Sequence, residues 1–395
     1  MPTNRKPTMT LTIGATTYTV DTFPLPIVVD TNPLPLDLAL SGSTLWLSCE
    51  FDRRIYSVPV SAAPGTTMTG YDVPAAAAPM FRVLLQGQDN PSQMTSAERI
   101  QATPDGSIWL TQGGTVYYGG AGQEHARVIR RRPNGTWQAF LIPWNTPGAI
   151  GLLVEDNGRR LWVTNANDNA GNAVLETHPL SWTPADTDPT RDLSNPPPLG
   201  TSAVRGWRTH AITTRNSSPA HIVKGLDGRL YVSLYFANAI LAIEPNTGAQ
   251  QLYPLPPPPV GLFQNSGGPW QMAVGLSGNI WIAEDAARWL TKLNPTTGVA
   301  TVYDIAPYLN PGEGLHSVCI DLALECIWFT TYSGTGAPNA GRIGRLFNLT
   351  GVIQVSPPLT TLGYNNGATG IVLGPGGTLW AALFGAKAVA RLTPQ

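Results

Sequence analysis

From Gly275 to Gly298 the chain reads GLSGNIWIAEDAARWLTKLNPTTG: a turn, an apolar run opening on Trp281, a small-residue turn, a second strand and a closing Asn-Pro turn. The same order recurs through the chain. The first strand of each unit is expected around Trp46, Trp109, Trp162, Tyr231, Trp281, Trp328 and Trp380, each preceded by an aliphatic residue and a Gly or polar turn. Runs such as Ile280-Trp281-Ile282-Ala283 are short and bounded by Gly, Asn or Asp, the pattern of a buried strand. Nothing between the units keeps a 3.6-residue period.

Adjacent anchors lie 47 to 69 residues apart, a period that belongs to propellers and solenoids. No single unit buries its own sheet face, so the units must stack. The expected fold is all-β: a seven-bladed β-propeller of four-stranded antiparallel blades, one domain over residues 1–395. Trp137-Gln138-Ala139-Phe140, Gln251-Leu252-Tyr253-Pro254 and Val302-Tyr303-Asp304-Ile305 resemble outermost strands, and so does the stretch from Tyr18 to Pro26. The last unit stops after its third strand, near Leu392. Residues 16–25 are therefore expected to complete it and close the ring.

Composition agrees with a turn-rich β chain: Gly and Pro make up 41 and 37 of 395 residues, and 12% are charged against a typical figure of roughly 25%. Net charge is −1 with no basic run, so nucleic acid is not an expected partner. The cluster Arg130-Arg131-Arg132 reads as a solvated hairpin edge. Neutral surface of this extent suits contact with protein subunits. Cys49, Cys319 and Cys326 are too few for a disulfide framework or zinc site; Cys319 and Cys326 flank one hairpin and are expected as small core residues. No secretory signal or membrane-spanning run is read, so synthesis in the cytoplasm and no membrane insertion are expected. The sequons at Asn134, Asn216 and Asn348 match by chance frequency. Asp168, set among asparagines, reads as a turn, and His125 and His178 as solvated.

Three long loops, residues 61–97, 176–206 and 254–270, sit on this frame, where partner contacts usually lie. The turns leading into the inner strands should converge at one mouth of the ring. Reading back ten or so residues from the anchors gives Glu98, Arg99, His221, Trp270, Gln271, Glu313, His316 and Asn365 as ligand-binding candidates. His316 and His221 are the candidate acid-base groups, and Glu313 with His316 the candidate metal ligands. For His221, turn-stabilising hydrogen bonds and ligand contact both stand. Trp270 reads either as a stacking platform for a sugar or peptide or as a ring buried under its loop.

The repeat, clearest in Ile327-Trp328-Phe329-Thr330-Thr331 with Gly341-Arg342-Ile343-Gly344-Arg345-Leu346, and in Ile280-Trp281-Ile282-Ala283-Glu284 with Leu290-Thr291-Lys292-Leu293, resembles that of the virginiamycin B lyase (streptogramin lyase) family along the whole chain. The resemblance implies a propeller that opens a cyclic depsipeptide by elimination, with Mg²⁺, a base His and a metal-binding Glu. At the matching positions stand Thr369 for the base His, Gly367 for the first Glu, Phe384 for the metal carboxylate, and Leu34 and Pro35 near the first-blade Tyr. Only Leu315-His316-Ser317-Val318 keeps the family's further His. A threonine does not abstract a carbon-bound proton, so the family's activity is not expected here.

Two function classes follow. The first is a non-catalytic binding or structural propeller, a component of an assembly such as a virion surface or tail-associated structure, with protein subunits and a glycan or peptide at the mouth as partners and no cofactor. The alternative is a diverged metal-assisted lyase or hydrolase using Glu98, His221, Glu313 and His316, with Mg²⁺.

Overall fold

The computed structural model describes residues 9–27, 33–50, 52, 54–73, 97–112, 127–142, 149–166, 172–178, 207–214, 217–262, 265–333, 340–364 and 367–395. They form seven antiparallel sheets, six of four strands and one of five. Strands A to D run outward in each blade. The A strands are Leu34–Ser41, Ala97–Ala102, Ala149–Glu155, Pro219–Lys224, Pro269–Val274, Gly314–Asp321 and Ala368–Leu373, and each touches the next in a cycle that returns from the seventh to the first. That cycle is the inner wall of a seven-bladed propeller.

The anchor aromatics lie on strand B, the second strand, rather than on the innermost one. The reason is burial. Strand B is covered on both faces by neighbouring blades, so Ile108–Gln112, Leu230–Leu234, Ile280–Glu284 and Leu379–Leu383 are buried at every position. Strand A has the axis beside it and carries a mixed pattern that reads less clearly as a strand. Strand D of blade 4, Gln250–Pro254, is exposed apart from Tyr253.

Each anchor fills the seam with the following blade. Trp109 packs with Leu152, Val154 and Leu161 of blade 3, Trp162 with Ile222 and Val232 of blade 4, and Trp380 with Leu38 and Leu45 of blade 1, which closes the ring. Burial of one such side chain contributes roughly 1.5–3 kcal/mol, so blade stacking is the main cohesive term. Cations from strand C cover the rings: Arg130 over Trp109 at 4.9 Å, Arg345 over Trp328 at 5.3 Å and Arg391 over Trp380 at 5.5 Å. This corrects the reading of the arginine cluster. Arg130 and Arg131 are half-buried on Trp109 and on Trp46 and Tyr71, and Arg132 alone of the three is exposed.

Closure occurs as expected from residues 16–25. Thr16–Pro24 pairs with Ala388–Pro394, from Tyr18 opposite Pro394 to Pro24 opposite Ala388, and forms the outer strand of blade 7. Met9–Ile13 then adds a fifth strand outside it. Blade 6 holds this hairpin through Arg345, whose Nη1 donates to the Tyr18 hydroxyl at 3.2 Å and Nη2 to Ile13 O at 3.3 Å and Thr16 Oγ1 at 3.0 Å. All three cysteines are free; Cys49 and Cys326 are buried, and Cys319 is half-buried against the same cluster as Cys326. Of the loop expectations, residues 74–96, 179–206 and 263–264 lie outside the described residues, as do His125, Asp168, Asn216 and Asn365.

Candidate functional site

Every A strand carries an irregularity at the same height. Pairing with strand B slips between Pro35 and Asp37, Ala97 and Ile100, Ala149 and Leu152, Pro219 and Ile222, Pro269 and Met272, Leu315 and Ser317, and Ala368 and Ile371. A bulge re-aims the side chains it contains. Arg99, His221, Trp270, Gln271 and His316 all fall within these slips, as does the backbone of Glu98, whose side chain lies outside the described set. These residues therefore lie on the inner strands themselves and not in the turns that lead into them.

The bulges are held by a hydroxyl two residues after the anchor. Thr111 Oγ1 accepts the Arg99 amide at 3.2 Å and donates to Ile150 O of the next blade at 3.0 Å. Thr164 does the same between Gly151 N and Ala220 O, and Ser233 between His221 N and Trp270 O. Thr330 donates to Thr369 O at 2.9 Å. Ala283 and Ala382 occupy this position in blades 5 and 7. Blades approach so closely here that a Cβ on Gly151 would lie 2.7 Å from Ala220 O, and one on Gly370 2.9 Å from Leu36 O.

A second set of bonds serves the amides on the free edge of the inner strands. Ile100 N donates to Asp37 Oδ2 at 3.3 Å, Val154 N to Gln101 Oε1 at 2.9 Å, Met272 N to His221 Nδ1 at 3.3 Å and Val318 N to Gln271 Oε1 at 3.2 Å. In each case the acceptor comes from the preceding blade. The role of His221 is thus an inter-blade hydrogen bond rather than a local turn contact, and its ring proton is assigned to Nε2. Burial and the charge of Arg99 hold its pKa well below the usual histidine range.

His316 is pinned from two sides. Its Nδ1 faces Thr369 O at 3.0 Å, and Nε2 accepts the Trp270 indole N–H at 3.2 Å. Burial first, then Arg99, pushes its pKa down to about 3, against the opposing pull of the Thr369 carbonyl. The imidazole is neutral with both nitrogens engaged. Arg99 of blade 2 reaches across the axis, its guanidinium carbon 5.4 Å from the Trp270 ring centre in blade 5.

A chain of rings runs from blade 4 to blade 7, half-buried at Tyr235, Trp270, Tyr332 and Phe384 and buried at His316. Tyr235 meets Trp270 at 5.6 Å, Trp270 meets His316 at 5.9 Å, His316 meets Tyr332 at 5.0 Å, and Tyr332 meets Phe384 at 6.1 Å. Asp285 accepts the Tyr235 hydroxyl at 3.1 Å, and burial raises its pKa to about 6, partly offset by that bond. Trp270 is half-buried, between the two readings of it, with one edge committed to His316. Tyr235, Tyr332 and Asp285 carried no signal in the repeat, since each lies where a strand B ends and the units diverge.

Glu313 is buried and turned to its own blade, accepting the Asn310 amide at 3.3 Å and the Thr331 hydroxyl at 3.1 Å, with Arg342 Nε 3.5 Å away. His316 and Glu313 therefore have separate sets of partners. Among the described residues no group of three or more His, Cys, Asp or Glu is placed to hold a metal ion. Thr369, at the position of the family's base, donates its hydroxyl to Pro35 O at 2.8 Å and gives its carbonyl to His316 and Thr330.

The fold is a seven-bladed propeller of the architecture seen in streptogramin B lyase and virginiamycin B lyase. A streptogramin B lyase structure matches at 20% identity and TM-score 0.65, over 96% of this chain and 98% of that one. A catalytically inactive His-to-Ala variant of virginiamycin B lyase from Staphylococcus aureus, with quinupristin, matches at 18% identity and TM-score 0.65, over 95% and 99%. YCF48 bound to a D1 peptide matches at 10% identity and TM-score 0.56, over 95% and 96%. The likeness at these identities is one of fold. No protein-family model and no curated protein matches the chain.

Proposed function

We propose that this propeller is a non-catalytic binding module that takes a glycan or peptide ligand against its aromatic mouth, as a component of a larger protein assembly such as a virion surface or tail-associated structure. The observation that carries the reading is the state of the two positions where a base would act. Thr369 has its hydroxyl and carbonyl tied to neighbouring strands, and His316 is held neutral between Thr369 and Trp270. What the mouth offers instead is ring surface: Tyr235, Trp270, Tyr332 and Phe384, with Asp285 at its side. Aromatic faces of this kind bind sugars and peptides by stacking and burial. The YCF48 structure with its bound peptide supports ligand binding as one use of this architecture. Low charge over the chain favours contact with other subunits.

The test is a screen of the purified chain against glycan and peptide arrays, followed by Trp270→Ala. Binding that disappears in Trp270→Ala, with native thermal stability retained, is the expected result. A streptogramin is incubated in parallel, with Mg²⁺ and with chelator. Ring opening that chelator or His316→Ala abolishes would overturn the reading in favour of the metal-assisted lyase.

A further inference from the structure

Arg99 is the one described cation that crosses the axis, and its hydrogen-bonding capacity is largely unused. Its side chain is 4% exposed, and among the described residues its carboxylate neighbour is Asp37, whose Oδ2 lies 4.0 Å from Nη1, beyond hydrogen-bond reach. The Asp37 oxygens already accept the Leu38 amide at 3.0 Å and the Ile100 amide at 3.3 Å. On the other edge of the guanidinium, Nε and Nη2 are buried and have no hydrogen-bond partner among the described residues. A buried guanidinium is stable only when charge and hydrogen bonds are returned to it. Nε–H and Nη2–H point the same way from one planar edge, the fork that donates to both oxygens of a carboxylate. Trp270 lies against the guanidinium, its ring centre 5.4 Å from Arg99 Cζ.

We propose that the free edge of Arg99 is an oxyanion site on the propeller axis that takes a two-oxygen acceptor of the carboxylate class. Two sources present this chemistry: a free small carboxylate, or the carboxylate of a larger ligand seated at the mouth. Only the second rests on the binding function proposed above.

The full chain is titrated by calorimetry and thermal shift, at constant ionic strength, with acetate, glucuronate and a short peptide acid, each beside its neutral counterpart: acetamide, glucose and the peptide amide. Acids are expected to bind saturably and raise Tm, and the neutral counterparts to leave it unchanged. Arg99→Lys keeps the charge and loses the fork, so acetate should bind about 10-fold more weakly, the equivalent of one charge-assisted hydrogen bond. Arg99→Gln should abolish binding; Arg99→Lys decides the matter should Arg99→Gln fail to fold. If glucuronate or the peptide acid binds more tightly than acetate and Trp270→Ala removes only that gain, the larger ligand is the source; equal binding of all three acids assigns a free anion. Acids that bind no better than their neutral counterparts, or acetate binding unchanged in Arg99→Lys, overturn the site. A neutral ligand that depends on Trp270 and ignores both Arg99 variants overturns the site and leaves mouth binding intact. Acetate bound at Arg99, with no larger ligand dependent on Trp270, does the reverse.

Discussion

Replacement of Thr164 by valine tests whether the hydroxyl relay, and not apolar packing alone, holds the inner wall. Thr164 is fully buried; its Oγ1 accepts the Gly151 amide at 2.7 Å and donates to Ala220 O of blade 4 at 3.2 Å. Valine fills nearly the same volume, so the cavity contribution is small. Two backbone groups of two inner strands lose their side-chain partner, and each buried group left unsatisfied costs about 1–3 kcal/mol. The amide bond is the shorter of the two, and the carbonyl, with two lone pairs, suffers less. A loss of about 3 kcal/mol is the expected outcome. Thr164→Ser keeps the hydroxyl and removes one methyl, at a cost of about 1 kcal/mol. Urea unfolding followed by tryptophan fluorescence supplies the comparison through midpoint and slope; where unfolding is irreversible, the unfolding rate replaces it. Thr164→Val as stable as the parent, or less damaged than Thr164→Ser, would refute the relay.

Deletion of residues 1–26 removes the outer strand of blade 7 together with buried Tyr18, Val20 and Phe23; the truncated chain should lose its cooperative melt, and a truncation that melts like the full chain rejects closure as the reason. Trp281→Ala, in a fully packed seam, should cost about 3–5 kcal/mol by chemical denaturation, and a cost under about 1 kcal/mol would show that the anchors are not the main cohesive term. Burial, with some relief from the Thr291 hydroxyl, raises the pKa of Glu284 from 4.5 to about 7, and its Oε2 has no partner among the described residues. The unfolded chain releases this proton near pH 4.5 and the folded chain near pH 7, so the contribution of the neutral acid is complete below about 4.5 and is lost as pH rises through 7. Glu284→Gln should therefore match the parent near pH 4 and exceed its Tm at pH 8; a parallel pH profile for the two would contradict this.

Much of the frame was legible in the sequence because each blade repeats one physical problem. A strand covered on both faces must be apolar throughout, so Trp109, Trp281 and Trp328 with their aliphatic neighbours mark one strand in each blade, read as the first of its unit although it is the second. The unpaired third strand of the last unit called for residues 16–25, and Tyr18 to Pro24 sit there. The added strand Met9–Ile13 was not foreseen, since it completes nothing that the repeat requires. Arg131 was misread because the aromatic rings it covers, Trp46 and Tyr71, belong to another blade.

For the site, sequence order located Arg99, His221, Trp270 and His316 but not their orientation. A one-residue slip in pairing reverses which face a side chain takes, and the seven bulges leave no periodic trace in composition. Thr111, Thr164, Ser233 and Thr330, two residues after their anchors, read as part of a strand, yet each donates to a carbonyl in the next blade, whereas Ser48 donates to Asp37 O of its own blade. The amino-acid pattern by itself determined seven blades, their order and their closure, because burial between sheets acts on each strand locally. Only the closed ring decided that Arg99 meets Trp270 across the axis, that His316 is neutral between Trp270 and Thr369, and that two donors of Arg99 have no partner among the described residues. Those relations join residues of blades 2, 5, 6 and 7, and they exist only once the ring has set those strands side by side.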